Sequence, residues 1–193
     1  MVFTKIRLTY ILLCAFLMGG ANAADFSSTI NTFNENPQVQ KFFNNAYGYA
    51  VFPTIGKGGF VVGVAHGKGQ VYVGGKMTGN SAVTQISVGA QVGGQAYSQV
   101  IFFQDKRAYD EFTSGNFEFS AQASAVAITT GAQAQAGTTG TSASANTGMR
   151  DAGAQEAQYH KGMAVFIHAK GGFMYEASLG GQKYSFKPTE TAE

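Results

Sequence analysis

Five lysines fall at expected turns or strand ends near glycines: Lys57 in Lys57-Gly58-Gly59-Phe60, Lys68 between Gly67 and Gly69, Lys76 after Gly74-Gly75, Lys170 in Lys170-Gly171-Gly172-Phe173, and Lys183 shortly after Gly180-Gly181. A lysine at a glycine turn sets a point charge beside exposed backbone N–H groups, a combination that holds phosphate or another anion. Lysine at a strand end also serves simply to stay solvated and to discourage edge pairing. Lys57 and Lys170 differ from the rest because their surroundings recur. Gly48-Tyr49-Ala50-Val51-Phe52 precedes the first and Gly162-Met163-Ala164-Val165-Phe166 the second. Each copy reads as an apolar strand, a glycine turn with one lysine, and a strand opened by an aromatic residue. Side by side, the copies would bring two ammonium groups to one rim, with Phe60, Phe173 and Tyr175 available to the apolar part of a ligand.

Other chemistry has little to stand on. His66, His160 and His168 lack ligand-like spacing to one another or to a carboxylate pair, so no metal is expected. Gly74-Gly75-Lys76-Met77-Thr78 has the look of a phosphate-loop end, but Gln70 occupies the place of its first glycine and Met77 that of the magnesium-binding hydroxyl. There is no Gly-x-Ser-x-Gly elbow, and the carboxylates are scattered. The expectation is a non-enzymatic protein without a cofactor.

Residues 1–23 read as a signal peptide: Lys5 and Arg7, an apolar stretch from Leu8 to Met18, then Ala21-Asn22-Ala23 as a cleavage signature. The apolar stretch is shorter than the roughly 20 residues a membrane helix needs. Cys14, the single cysteine, lies inside it, so the mature chain offers no disulfide or thiolate chemistry. Removing two basic residues from 13 leaves 11, equal to the 11 acidic ones, which takes away the support for general nucleic-acid binding. An exported protein of the periplasm, free or associated with the outer membrane, is expected.

The elements that must position the lysines are mostly strands. Leu179 is the only leucine after the leader, while valine, isoleucine, phenylalanine, tyrosine and alanine supply the apolar mass. Ser27 or Ser28 caps a short helix through Phe33, and Asn36-Pro37 opens a second that runs to about Tyr47. Strands follow at Tyr49–Phe52, Phe60–Ala65, Val71–Gly75, Ala82–Val92 and Tyr97–Phe103, with His66-Gly67-Lys68-Gly69 and Met77–Ser81 as the connecting loops. Val100 to Phe103 is apolar on successive positions, so both faces of that strand should be covered, as at the centre of a sheet. Asp105 caps a two-turn helix containing Ala108, Tyr109 and Phe112. A small-faced strand over Ala121–Ala127 precedes a low-complexity loop, 131–153; the second repeat copy, a strand at Gln182–Phe186 and a loose tail over 188–193 complete the chain. The fold class is mainly β with a few short α-helices: one compact domain over 24–193 on an antiparallel sheet, barrel- or sandwich-like, with pseudo-repeated strand-turn-strand units.

In order and spacing these stations resemble the SYLF domain family, over roughly Phe42 to Phe186. They are Gly48 to Pro53 with Lys57 to Phe60; Gly63 to Gly69 with Gly74-Gly75-Lys76; Gly89 to Gln95; Val100 to Phe112; Ala121 to Ala127; and Lys170 to Phe173 with Ser178 to Gly181. The resemblance implies a mainly β domain that binds lipid, with phosphoinositides and actin as partners in eukaryotic members. In a bacterial envelope it narrows to a phospholipid or another amphiphile and to peripheral membrane contact. Family members commonly carry an aspartate where this chain reads Ala121-Gln122-Ala123-Ser124, and a glutamate at the position of Gly180, so headgroup preference is expected to differ. The lipid-binding set read from the residues is Lys57, Gly58, Gly59, Phe60, Lys68, Lys76, Lys170, Gly171, Gly172 and Phe173. Two alternatives share the signal peptide and the strand pattern: a small outer-membrane β-barrel, and a structural, self-associating envelope protein.

Overall fold

The computed structural model describes residues 23–59, 62–88, 93–119, 125–128, 158–171 and 181–189. Two helices lead, α1 (Ala23–Asn34) and α2 (Pro37–Asn45). Asn36 caps α2 by accepting from the Gln38 backbone N–H, and Pro37 fills the first helical position, where a missing N–H costs nothing. Four long strands follow: β1 (Gly48–Gly59), β2 (Val62–Val73), β3 (Lys76–Val88) and β4 (Gly93–Phe103). Then come α3 (Lys106–Thr113), the short β5 (Phe117–Glu118) and β6 (Val126–Ile128), and finally β7 (Met163–Gly171) and β8 (Gln182–Pro188). All join one sheet in the order β5-β8-β3-β2-β1-β4-β7-β6, antiparallel throughout except for the β6–β7 pair.

The sheet is curled into a half-barrel. Four strand spacings separate β8 from β4, about 19 Å if the sheet were flat. Yet the Gln99 Nε2 of β4 donates to the Tyr184 hydroxyl of β8 at 2.8 Å across the concave side. That interior holds Phe52, Ile55, Ala65, Val83, Ile101, Val165 and Ile167, with Ala108 and Phe112 of α3 plugging it. On the convex side α1 and α2 cover half of the sheet, laying Phe26, Phe33, Val39 and Phe42 over Val51, Val100, Phe102 and Phe166. Val100 to Phe103 are all fully buried, alternating between the two layers, as their unbroken apolar run requires.

Two expected loops are strand. β2 runs straight through His66-Gly67-Lys68-Gly69, because those glycines make room for large neighbours inside the curl. A Cβ at Gly67 would lie 2.7 Å from Ile55 Cγ1, and one at Gly69 would lie 2.5 Å from Phe52 Cε1. Met77 to Ser81 likewise belongs to β3; the turn is Gly74-Gly75, with φ of +56° and +77°, the mirror-image geometry that suits a two-residue hairpin. α1 begins ahead of the expected serine cap, at Ala23. Of the expected strand over Ala121–Ala127 the described part is Val126–Ile128, and residues 1–22, the 131–153 loop and the end of the tail lie outside the described residues.

The doubled motif is a repeat of sequence and not of environment. Its copies, β1 and β7, both pair with β4 and therefore run parallel to each other with β4 between them. In the ladder Ala50 stands opposite Ile101, whose other neighbour is Val165, one position out of phase with the repeat. Because side chains alternate with a period of two, a one-residue offset exchanges the faces. Phe52 consequently fills the interior, while its counterpart Phe166 lies under the helices.

Candidate cation-bearing site on the outer sheet face

Spacing and a bulge decide where the two repeat lysines go. Lys57 follows the interior Phe52 by five residues and Lys170 the outer Phe166 by four, so alternation alone would send both outward, and the register slip between Phe52 and Ile55 turns Lys57 inward. Lys57 stands opposite Ala65 of β2, an interior residue, and so leaves its strand on the concave side. Lys170 leaves on the convex side, where its Nζ lies 3.3 Å from Thr54 Oγ1. Two irregularities aim it there. In β1 the register slips between Val51 and Thr54, around Phe52-Pro53. In β7 Lys170 is the extra residue between Ala169, opposite Tyr97, and Gly171, opposite Ala96. Such bulges twist a strand and redirect one side chain.

Thr54 is also the cross-strand partner of Lys68, so two exposed lysines stand on the same face about this threonine, Lys170 through its side chain and Lys68 as its ladder neighbour. Next along the same face come His66 and Val64 of β2, opposite Thr84 and Ile86 of β3. Val64 is 49% and Ile86 67% exposed, an apolar pair on neighbouring strands. Beside them β1 presents Gly56 and Gly58, where an added Cβ would meet nothing within 4 Å. Along β1 the face is thus bare beside His66 and the apolar pair. His168 of β7 lies next to Lys170; burial, and secondarily that lysine's charge, hold its pKa below the usual value, so it is neutral at pH 7. Lys183 pairs with Glu118 at 3.5 Å, both well exposed, an ion pair of small energetic weight.

Of the remaining expected residues, Lys76 opens β3 after the Gly74-Gly75 turn, five positions along β2 from Lys68 and hence about 17 Å away. Gly58, Gly59 and Gly171 are strand residues and not parts of turns. Phe60, Gly172 and Phe173 lie outside the described residues. The structure adds Thr54, Val64 and Ile86, which the reading of the sequence missed. Pro53 inside a strand was the available signal, since proline in a sheet marks an edge or a bulge. Among the described residues no group of three His, Cys, Asp or Glu side chains could hold a metal ion.

An open, curled antiparallel sheet with a solvent-facing patch of cations and apolar side chains defines a binding module. Comparison with known families agrees. Residues 84–193, just over half of the chain, match the family model Ysc84, described as Las17-binding protein actin regulator, and the chain belongs to this family, the SYLF domain family. It is 29% identical over 160 residues to Beta cell expansion factor A of Aeromonas veronii, an alignment covering 82% of this chain and 52% of the relative. The chain thus spans about half the length of that curated relative. The family is associated with lipid binding, which fits a non-enzymatic binding role.

Proposed function

We propose that the protein is an exported lipid-binding protein of the periplasm, associated with a membrane from the periplasmic side. In this reading an anionic headgroup sits between Lys68 and Lys170, with the Thr54 hydroxyl as a further hydrogen-bonding partner, and Val64 and Ile86 enter the apolar boundary beneath it. The bond from Lys170 to Thr54, whose ladder neighbour is Lys68, beside an exposed apolar pair carries the reading. Lys57, on the concave side, has a lesser part than the repeat alone would give it. Non-enzymatic action is part of the same proposal.

The test is co-sedimentation of mature protein with vesicles of phosphatidylglycerol in phosphatidylcholine. Binding at low salt is expected, weakening as salt rises, because exposed charges are screened beyond about 10 Å at 0.1 M ionic strength. Lys68→Glu with Lys170→Glu should abolish it. Binding that survives both substitutions would overturn the proposal.

A further inference from the structure

A second feature lies on the convex side at the other end of the sheet. α2 presents Gln38, Lys41, Phe42 and Asn45, an i, i+3, i+4, i+7 stripe, to a cleft of ≈ 440 Å³ whose opposite wall is Gln104, Gln158 and Tyr159. That volume falls within the range of small-ligand sites. Both walls are tied down. Val39 and Phe42 anchor α2 in the outer core, and the Gln104 N–H donates to the Gly162 carbonyl at 2.8 Å, joining the end of β4 to the start of β7. Asn45 donates its Nδ2 to the Lys41 carbonyl at 2.7 Å, which fixes its amide on the cleft edge.

The chemistry of the lining is specific. Four of its seven side chains are carboxamides, one is a lysine, and two are aromatic rings, Phe42 and Tyr159, packed edge to face with centroids 5.1 Å apart. A carboxamide offers a donor pair and an acceptor on one rigid plane, which matches two neighbouring hydroxyls. A single ammonium, with no guanidinium beside it, is a weak basis for a phosphate site. The Tyr159 Oη is buried and has no hydrogen-bond partner among the described residues. A buried hydroxyl left in that condition calls for an explanation, and a ligand hydroxyl would supply the partner once a small turn of the ring brings the Oη to the cleft surface. Burial raises the Tyr159 pKa, so the group stays a neutral donor and acceptor at physiological pH.

We propose that this cleft binds a saccharide, its hydroxyls engaged by Gln38, Asn45, Gln104, Gln158 and the Tyr159 Oη, and its apolar face set against Phe42 and Tyr159. The site is separate from the lysine patch: Gln104, directly after β4, and Ala96, in the row of Gly171, stand eight residues apart along the chain, about 26 Å if fully extended. The sugar arrives either free or as the head of a glycolipid; the recognising chemistry is the same.

Saturation-transfer NMR of the full mature chain with maltotriose and with chitotriose tests the free form. Co-sedimentation with phosphatidylcholine vesicles carrying a galactosyl lipid tests the displayed form. Binding in either arm is expected, weakened about fivefold to tenfold by Tyr159→Phe, which keeps the ring and removes one hydroxyl, and lost in Gln38→Ala with Gln104→Ala. Lys68→Glu with Lys170→Glu should leave sugar binding intact, so failure of the lysine site and failure of this one are distinguishable. The proposal is overturned if neither arm shows binding. It is equally overturned if Tyr159→Phe and the Gln38/Gln104 pair bind as the parent does while retaining its thermal stability.

Discussion

Gln99 is fully buried, yet it carries a carboxamide into the middle of an apolar half-barrel. Its Nε2 donates to Tyr184, whose hydroxyl donates to Gln182 Oε1 at 2.5 Å; Gln182 Nε2 in turn reaches Tyr97 at 3.0 Å and Gln85 at 3.5 Å. These five residues come from β3, β4 and β8 and close the curl across its concave side. Tyr184→Phe would leave the Gln99 amide with only a 3.4 Å contact to Gln182, so we expect a loss of about 1–3 kcal/mol in urea unfolding. The two tyrosines also make the fold sensitive to alkali. Burial pushes Tyr97 up from 10.0 to about 12, against the smaller opposing effect of its bond from Gln182, and raises Tyr184 as well. A raised folded-state pKa contributes stability that is complete below the unfolded value and is lost as pH climbs through the folded one. Melting temperature should therefore be insensitive to these groups below about pH 10 and fall between pH 10 and 12. For Tyr97, two units at about 1.4 kcal/mol each amount to about 3 kcal/mol. Tyr97→Phe should flatten that decline in a pH series of thermal melts.

Among the elements, curvature and capping carry most of the definition. Gly69 sits beneath Phe52, and a Cβ there would also lie 2.8 Å from the Val51 carbonyl, an atom that cannot swing aside. Gly69→Ala is expected to destabilise by about 1–3 kcal/mol through overpacking, read as a lower urea midpoint with an unchanged slope. α3 depends on Asp105, whose side chain accepts from the Ala108 N–H at 2.9 Å. Asp105→Ala should cost about 1 kcal/mol, measured in the same way. By contrast Lys106→Ala, which removes an exposed i,i+4 pair with Asp110, should leave the urea midpoint almost unchanged.

At the scale of the molecule the sheet has two unlike faces, and function is proposed for the outer one. Reversing Lys170 should weaken binding to anionic vesicles by an order of magnitude or more, roughly 1.4 kcal/mol. Reversing Lys57 should have a clearly smaller effect, since its strand turns it to the concave side. Parallel co-sedimentation of the two single variants, each checked for an unchanged melting temperature, decides this; equal losses would return Lys57 to the site. The sheet ends at β5 and β6 among the described residues, and its outer face carries Lys68, Lys170, His66 and Thr54. A lipid-facing barrel wall would instead show a continuous apolar band there. No helix among the described residues is long and apolar enough to cross a membrane.

Much of this was legible in local pattern. The Asn36-Pro37 and Asp105 caps, the doubly buried Val100–Phe103 strand and the predominance of β structure follow from propensity and periodicity, which act over a few residues. The order of family stations along the chain was equally readable. What tertiary structure alone decided was facing. Glycines that look like turn residues in His66–Gly69 are strand residues under Ile55 and Phe52, because close approach and chain reversal call for the same amino acid. The twin motifs put like residues on opposite faces because pairing slips by one residue between β1, β4 and β7, and two bulges then bring Lys170 to Thr54. Strand register is a sum over many long-range contacts, and with a side-chain period of two the smallest slip reverses every assignment. The chain by itself determined which cations stand near glycines; only the folded sheet determined which of them share a face and which one reaches Thr54.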